Sequence, residues 1–79
     1  MQKAFEAKHP RLDTSLPSIR HFQELIRTHK LVQIEITTGQ TLEGVLAWQD
    51  PQYLAMREPM GESLLLINRE SVVVVRSLH

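Results

Sequence analysis

The sequence predicts a mainly β fold, in which one N-terminal helix precedes a strongly bent antiparallel sheet of five short strands. Between residues 16 and 30, apolar residues recur at three- and four-residue spacing, and beyond residue 30 they alternate with polar residues. The first period is that of an amphipathic helix and the second that of half-buried strands. Turn residues interrupt the second part at short intervals that leave no room for parallel crossovers, which is typical of a small, partly open barrel.

The helix is predicted over residues 17–29. Its apolar residues lie on one stripe and are Ile19, Phe22, Leu25 and Ile26. Pro17 is tolerated in a first helical turn, and Ser15 or Ser18 is expected to cap it. The cations in Thr28-His29-Lys30 suit the negative end of the helix dipole, so the helix is expected to end there.

Five strands are predicted after the helix, with turns between them. Their expected bounds are 31–37, 41–48, 53–58, 63–68 and 72–77. Gly44, within the second strand, indicates a bend or a close approach of another backbone. Trp48 continues the alternation of Leu42, Gly44 and Leu46. Aromatic residues of strands pack in cores more often than they bind nucleobases, so core packing is expected for Trp48 and Tyr53, with a nucleobase platform as the alternative.

Residues 1–14 are predicted to be a mobile tail, because their apolar residues keep no period, and residues 15–79 a single domain. Nine Lys and Arg balance nine Asp and Glu. This balance argues against a free-standing basic clamp on nucleic acid. The chain has no Cys, no signal peptide and no stretch long enough to span a bilayer. A cytoplasmic protein without membrane insertion is therefore expected.

Catalysis and cofactor binding are not expected. The His residues lack metal-ligand spacing with carboxylates, and no nucleophile motif frames the Ser, His and Asp residues. Gly39, Gly44 and Gly61 are isolated, so the chain has no Gly-rich loop that could cradle a phosphate.

The last two predicted strands break the alternation. Residues 64–67 and 72–75 are apolar on both faces, although an antiparallel sheet of this size should have one wetted face. Either the helix and the sheet curvature cover both faces within one chain, or strand four of one copy pairs with strand five of the next and closes a ring. The ring is favoured, because the core is small and the edge undefended. The residues assigned to this subunit interface are Leu64, Leu66, Val72, Val73, Val74 and Val75.

These segments together resemble the Sm-like fold, an SH3-type small barrel, and within it the bacterial Hfq family. The alternating residues 32–36, followed by Gly39, Leu42, Gly44 and Asp50, match the first Sm motif. Residues 69–72 stand where the second motif usually reads Lys-His-Ala-Ile. The helix opening at residues 16–20 and the turn at residues 48–51 are most similar to the divergent cyanobacterial branch. The resemblance implies a homohexameric ring that binds small regulatory RNAs and helps them pair with messages.

The resemblance also assigns candidate RNA-binding positions. Those of the pore face are Ser18, Gln52, Tyr53, Arg69 and Glu70, and those of the rim are Arg27, His29 and Lys30. Arg69 keeps a cation where the family has Lys. Glu70 replaces the family's His and would repeat a carboxylate around the pore. On the opposite face, Glu35 replaces the Tyr on which adenines stack, and a carboxylate offers no stacking surface.

Two functions remain open from the sequence. The first is an Hfq-like ring in RNA-linked post-transcriptional regulation, with weak RNA binding and with docking to a protein such as the ATPase at the base of type IV pili. That docking role is associated with the cyanobacterial branch. The alternative is a conventional RNA chaperone that uses pore and rim. Glu35, Glu70 and the missing aromatic directly after Asp50 favour the first, whereas the cations of the rim and Arg69 favour the second.

Overall fold

The computed structural model describes residues 12–61 and 63–78 and confirms the predicted fold class, one helix followed by five antiparallel strands. The elements are α1 (Pro17–Thr28), β1 (Leu31–Ile36), β2 (Thr41–Gln49), β3 (Tyr53–Arg57), β4 (Leu64–Asn68) and β5 (Val72–Ser77). A short 3₁₀ turn, Arg69–Ser71, joins the last two strands. Most of the predicted tail, residues 1–11, lies outside the described residues. No helix within the described part of the chain is long and apolar enough to cross a membrane.

The strands form one sheet in the order β4-β3-β2-β1-β5, so β4 and β5 are its two edges. These edge strands follow each other in sequence and are joined only by Arg69–Ser71. A sheet whose opposite edges are joined by so short a turn has to curl strongly, as the sequence predicts. The central strand is β2, and each of its two neighbours separates it from an edge.

The core fills the concave face of this sheet. Its fully buried residues are Val32, Ile34, Leu46, Leu54 and Met56, and Leu25 of α1 packs onto them. Gly44 also faces inward, and a Cβ atom there would stand 2.4 Å from the carbonyl oxygen of Arg57. The close backbone approach predicted at Gly44 is therefore confirmed.

The start of α1 differs from the prediction. Leu16 is the N-cap residue and provides no side-chain hydrogen bond, so neither Ser15 nor Ser18 caps the helix. The Asp13 carboxylate instead accepts hydrogen bonds from the Ser15 N–H (2.9 Å) and hydroxyl (2.6 Å). Pro17 reduces the need for a cap, because it has no N–H to satisfy and its φ already suits the first helical turn.

Trp48 also lies elsewhere than predicted. The pairing of β2 with β3 shifts between Leu46 and Trp48, so that Ala47 is the extra residue of a β-bulge. The bulge reverses the alternation, and Trp48 therefore turns away from the core and is 41% exposed. Gln49 turns inward in its place, towards α1.

Candidate functional site

The turn between β2 and β3 is held by Asp50. Its Oδ1 atom accepts hydrogen bonds from the backbone N–H groups of Gln52 (2.9 Å) and Tyr53 (2.7 Å). The Asp50 N–H in turn donates to the Tyr53 carbonyl at 3.0 Å. The carboxylate thus satisfies backbone donors that the tight turn leaves unpaired, which is the usual reason for Asp in such turns.

Gln49 joins this turn to the helix. Its Nε2 atom donates to the Ile19 carbonyl (3.2 Å) and to Gln23 Oε1 (2.7 Å). Its Oε1 atom accepts from Arg69 Nη2 at 2.7 Å. One amide therefore connects α1, β2 and the 3₁₀ turn, and it can do so only because the bulge turns it inward.

Arg69 is held within the same network. Its Nη2 and Nε atoms donate to the Asp50 carbonyl at 2.9 and 3.2 Å, and its guanidinium carbon lies 5.7 Å from the centre of the Phe22 ring. Burial lowers the pKa of Arg69, while the negative charge of Asp50 opposes that shift. Arginine stays charged throughout the accessible pH range. Its charge is thus directed at a backbone carbonyl, Gln49 and an aromatic ring.

A cavity of about 230 Å³ opens beside this network. It is lined by Pro51, Gln52, Tyr53, Asn68 and Glu70. Three of the predicted pore-face residues therefore come together, whereas Ser18 and Arg69 do not line the cavity. Asn68 was not predicted as a site residue. Its Oδ1 atom accepts from the Glu70 N–H at 2.8 Å, and an Asn directly before a tight turn is the signal that could have identified it.

Glu70 determines the charge of this cavity. Among the described residues that line it, Glu70 is the only one with a charged side chain, and it is exposed. Arg69, which follows Asn68, instead donates hydrogen bonds to Gln49 and to the Asp50 carbonyl. A phosphate group entering the cavity would therefore meet a carboxylate without a compensating cation.

The predicted rim residues lie at the end of α1, but their charges are not equivalent. Arg27 forms an ion pair with Glu24 one turn earlier, and its hydrogen bond to that carboxylate is the main reason why the pKa of Glu24 is lowered. His29 adopts the left-handed conformation (φ 55°) that ends the helix, and Lys30 is exposed. Of the three predicted rim residues, Arg27 is thus the one whose charge is paired within the helix.

The face that stacks adenines in the resembled family is polar here. Glu35 lies opposite Thr41 on β2 and Val74 on β5. Gln33, two residues earlier, accepts a hydrogen bond from Arg76 at 3.0 Å and donates to Glu43 at 3.4 Å. Among residues 12–61 and 63–78, no group of three or more His, Asp or Glu side chains could hold a metal ion.

We predict that Gln49→Ala destabilises the fold by about 1–3 kcal/mol, because it leaves hydrogen-bonding groups of Arg69 and the helix without their partner. The midpoint of urea unfolding should fall while the slope stays constant. Gln23→Ala, which removes a single contact at the exposed end of the same network, is the matched control and should cost less. Equal effects would show that Gln49 does not hold the helix to the turn.

Comparison with known proteins identifies the fold and its family. The family model that matches the chain is described as Hfq related, and it covers residues 16–77. A crystal structure of an Hfq protein from Anabaena sp. matches with a TM-score of 0.70 and 29% identity, over 78% of this chain and 97% of that one. A 1.55 Å crystal structure of the pleiotropic translational regulator Hfq matches with a TM-score of 0.69 over 75% of this chain and 95% of that one. At 12% identity, the second match concerns the fold alone. A search of curated proteins found no match.

Proposed function

The chain belongs to the Hfq-related family, and from this premise we propose that it forms a ring that serves RNA-linked post-transcriptional regulation, binds RNA weakly at its pore and docks onto a protein partner. The resemblance read from the sequence is confirmed by the family match and by the Anabaena structure. The observation that carries the proposal is that Arg69 donates its hydrogen bonds to Gln49 and Asp50 of its own chain, whereas the neighbouring Glu70 is exposed and lines the cavity.

Ring assembly is supported by the two free edges of the sheet. Edge strands β4 and β5 keep large apolar side chains exposed, with Leu64 at 41%, Leu66 at 54% and Val73 at 57%. Helix α1 and the sheet curvature thus leave these three side chains uncovered within one chain, whereas Ile67 of β4 and Val72 and Val75 of β5 pack into or against the core. If β5 of a neighbouring copy paired with β4, the backbone groups at this edge would gain hydrogen bonds. The exposed apolar side chains of both strands would be buried at the same time. Closure into a hexamer is what the family resemblance implies.

Weak RNA binding at the pore is supported by charge and by shape. A ring would repeat Glu70 once per subunit around the cavities that hold Gln52 and Tyr53. Tyr53 is half-buried and remains the only aromatic side chain among the described residues that line each cavity. Repulsion between these carboxylates and RNA phosphates would lower affinity, most strongly at low salt.

Docking to a protein partner is supported by the family branch. The turn at residues 48–51 and the opening of α1 resemble the cyanobacterial members, and the similar Anabaena protein comes from that group. The ATPase at the base of type IV pili is the partner that this resemblance suggests. Purified ATPase should bind the immobilised ring without added RNA. Absence of that complex would remove this partner from the proposal.

The conventional chaperone is the second candidate, because exposed Lys30 still offers a cation at the rim, next to exposed His29. Uridine and adenine oligomers, titrated at a stated salt concentration, separate the two functions. We expect weak binding of both, with a shallow dependence on salt. Tight binding of either oligomer would favour the chaperone.

We predict that Glu70→Lys increases the affinity for uridine oligomers by at least about tenfold, since every subunit of the ring then replaces a repelling carboxylate with a cation. The slope of log affinity against log salt concentration should become steeper by about one or more, which corresponds to at least one additional phosphate contact. Glu43→Lys makes the same change of charge on the outer face of β2 and serves as the control. Equal gains for both variants would attribute the effect to net charge rather than to the cavity.

A further inference from the structure

The bulge at Ala47 creates an exposed aromatic position on the central strand of the sheet. Without it, Trp48 would continue the buried side of β2 that includes Leu46. Instead, Trp48 lies opposite Ala55 on β3, which lies opposite Leu66 on β4. Ala55 is completely inaccessible, although it alternates with the core residues Leu54 and Met56 and lies in register between Trp48 and Leu66.

A second cavity lies next to the row of cross-strand neighbours Trp48, Ala55 and Leu66, here called the Trp48 row. This cavity has a volume of about 410 Å³. Its apolar lining is Val45, Leu46, Ala47 and Pro59, and its polar lining is His29, Arg57 and Glu58. Ala47 directly precedes Trp48, and Arg57 lies two residues from Ala55 on the same face of β3. The Trp48 row and the cavity therefore form one continuous surface, here called the Trp48 surface.

Arg57 gives this surface its charge preference. Its cross-strand neighbours are Val45 on one side and Leu64 on the other, so no acidic side chain lies opposite it in the sheet. His29 adds a second basic group to the cavity, and Glu58 is the acidic group that adjoins Arg57 in the chain. A cation set between apolar side chains is complementary to a carboxylate presented within an apolar segment.

We propose that the Trp48 surface docks an extended segment of a partner protein that presents a large apolar side chain next to a carboxylate. This inference rests on the docking function proposed above and names its surface. Trp and Arg are the residues that most often dominate the binding energy of protein interfaces. Interfaces with nucleic acid are more polar and more strongly positive than the Trp48 surface, in which apolar side chains surround a single Arg. The composition of this surface therefore favours a protein partner over RNA.

The position of the surface leaves it free in a ring. Trp48 belongs to β2, the central strand, and Arg57 to β3, whereas assembly through β4 and β5 uses the two edges. The residues that border the proposed subunit boundary are Leu66, at the far end of the row, and Leu64, which lies opposite Arg57. A ring would thus repeat the surface in every subunit and raise the effective concentration for a partner that has several copies of the segment.

The test uses the emission of Trp48, because the chain contains a single Trp. The probes are three synthetic peptides of equal length, in which Leu and Phe alternate with Asp, with Lys or with Ser. The Asp peptide should shift Trp48 emission to the blue and bind at least about tenfold more tightly than the Lys peptide. Trp48→Ala should weaken binding of labelled Asp peptide at least about tenfold.

Arg57→Glu is the decisive variant, because reversing the charge should transfer the preference from the Asp peptide to the Lys peptide. A loss of structure cannot produce such an exchange, and unchanged circular dichroism checks the fold. Equal binding of all three peptides, no binding, or a shift caused instead by uridine or adenine oligomers would overturn the inference. A lower assembly mass for Trp48→Ala would also overturn it, since the occupant would then be another copy of the chain.

Failure of this inference and failure of the proposed function are distinguishable. A wild-type ring that binds no peptide contradicts the Trp48 surface alone. A wild-type monomer that binds the Asp peptide contradicts the ring and leaves the surface intact.

Discussion

Replacing Val73 by lysine is expected to abolish the proposed ring and leave monomers. Val73 lies on edge strand β5 and is 57% exposed in the single chain. Pairing with β4 of a neighbouring copy would bury it against apolar side chains, where an unpaired ammonium costs several kcal/mol. The cost recurs at every interface of a closed ring. Sedimentation velocity at micromolar concentration should therefore show the mass of one chain.

The control for this prediction is Gln40→Lys, which adds the same charge at an exposed position in the turn between β1 and β2. That variant should sediment like the wild type. A ring that survives Val73→Lys would show that β5 is not part of the interface.

The second large effect is expected for Gly44→Ala. The added Cβ atom would lie 2.4 Å from the Arg57 carbonyl oxygen and 2.7 Å from Met56 Cγ. The carbonyl belongs to the neighbouring strand and cannot rotate away, so β2 and β3 would have to separate. We expect a loss of about 3 kcal/mol or more, at or beyond the upper end of the usual cost of overpacking. For so short a chain, this loss approaches the whole stability of the fold.

Gly61→Ala is the matched control, because its Cβ atom would come close only to the flexible carboxylate end of Glu58, at 3.1 Å, while Glu58 Cβ and the Ser63 nitrogen lie at ordinary contact distances of 3.6 and 3.8 Å. Thermal unfolding followed by circular dichroism should show a much smaller change for Gly61→Ala than for Gly44→Ala. Similar melting temperatures for Gly44→Ala and the wild type would contradict the close approach of β2 and β3.

The order of elements could be predicted because it depends on local patterns. The change from helical to strand period at residue 30 separates α1 from β1, and Gly39, with φ 92°, marks the turn between β1 and β2. The predicted β1, β3 and β4 are each one residue too long, at Thr37, Glu58 and Ser63, and the predicted β2 is one residue too short, at Gln49. Strand ends depend on cross-strand hydrogen bonds that a local pattern does not contain.

The orientation of Trp48 and Arg69 could not be predicted from such patterns. One extra residue in β2 moves every later side chain of that strand to the opposite face of the sheet. The residue types of Ala47 and Trp48 give no indication of this bulge. Arg69 is directed by Gln49 and by the Asp50 carbonyl, which are brought to it only by the folded sheet. The pair of Glu24 and Arg27, by contrast, follows from helical spacing and could have been recognised in the sequence.

These two orientations have a common origin in the bulge of β2. The inward turn of Gln49 draws Arg69 away from the cavity that Glu70 lines, and the same bulge exposes Trp48. The extra residue of the bulge in β2 therefore keeps Arg69 outside the lining of that cavity and forms part of the apolar surface proposed for a protein partner.

The mass of the wild-type assembly tests the central claim, ring formation through β4 and β5, most directly. Native mass spectrometry of the full chain at micromolar concentration should show a single species of six times the 9.1 kDa chain, as the family resemblance implies. A spectrum dominated by the 9.1 kDa monomer would contradict the ring. It would also contradict every prediction that depends on the repetition of a side chain, once per subunit, around the pore.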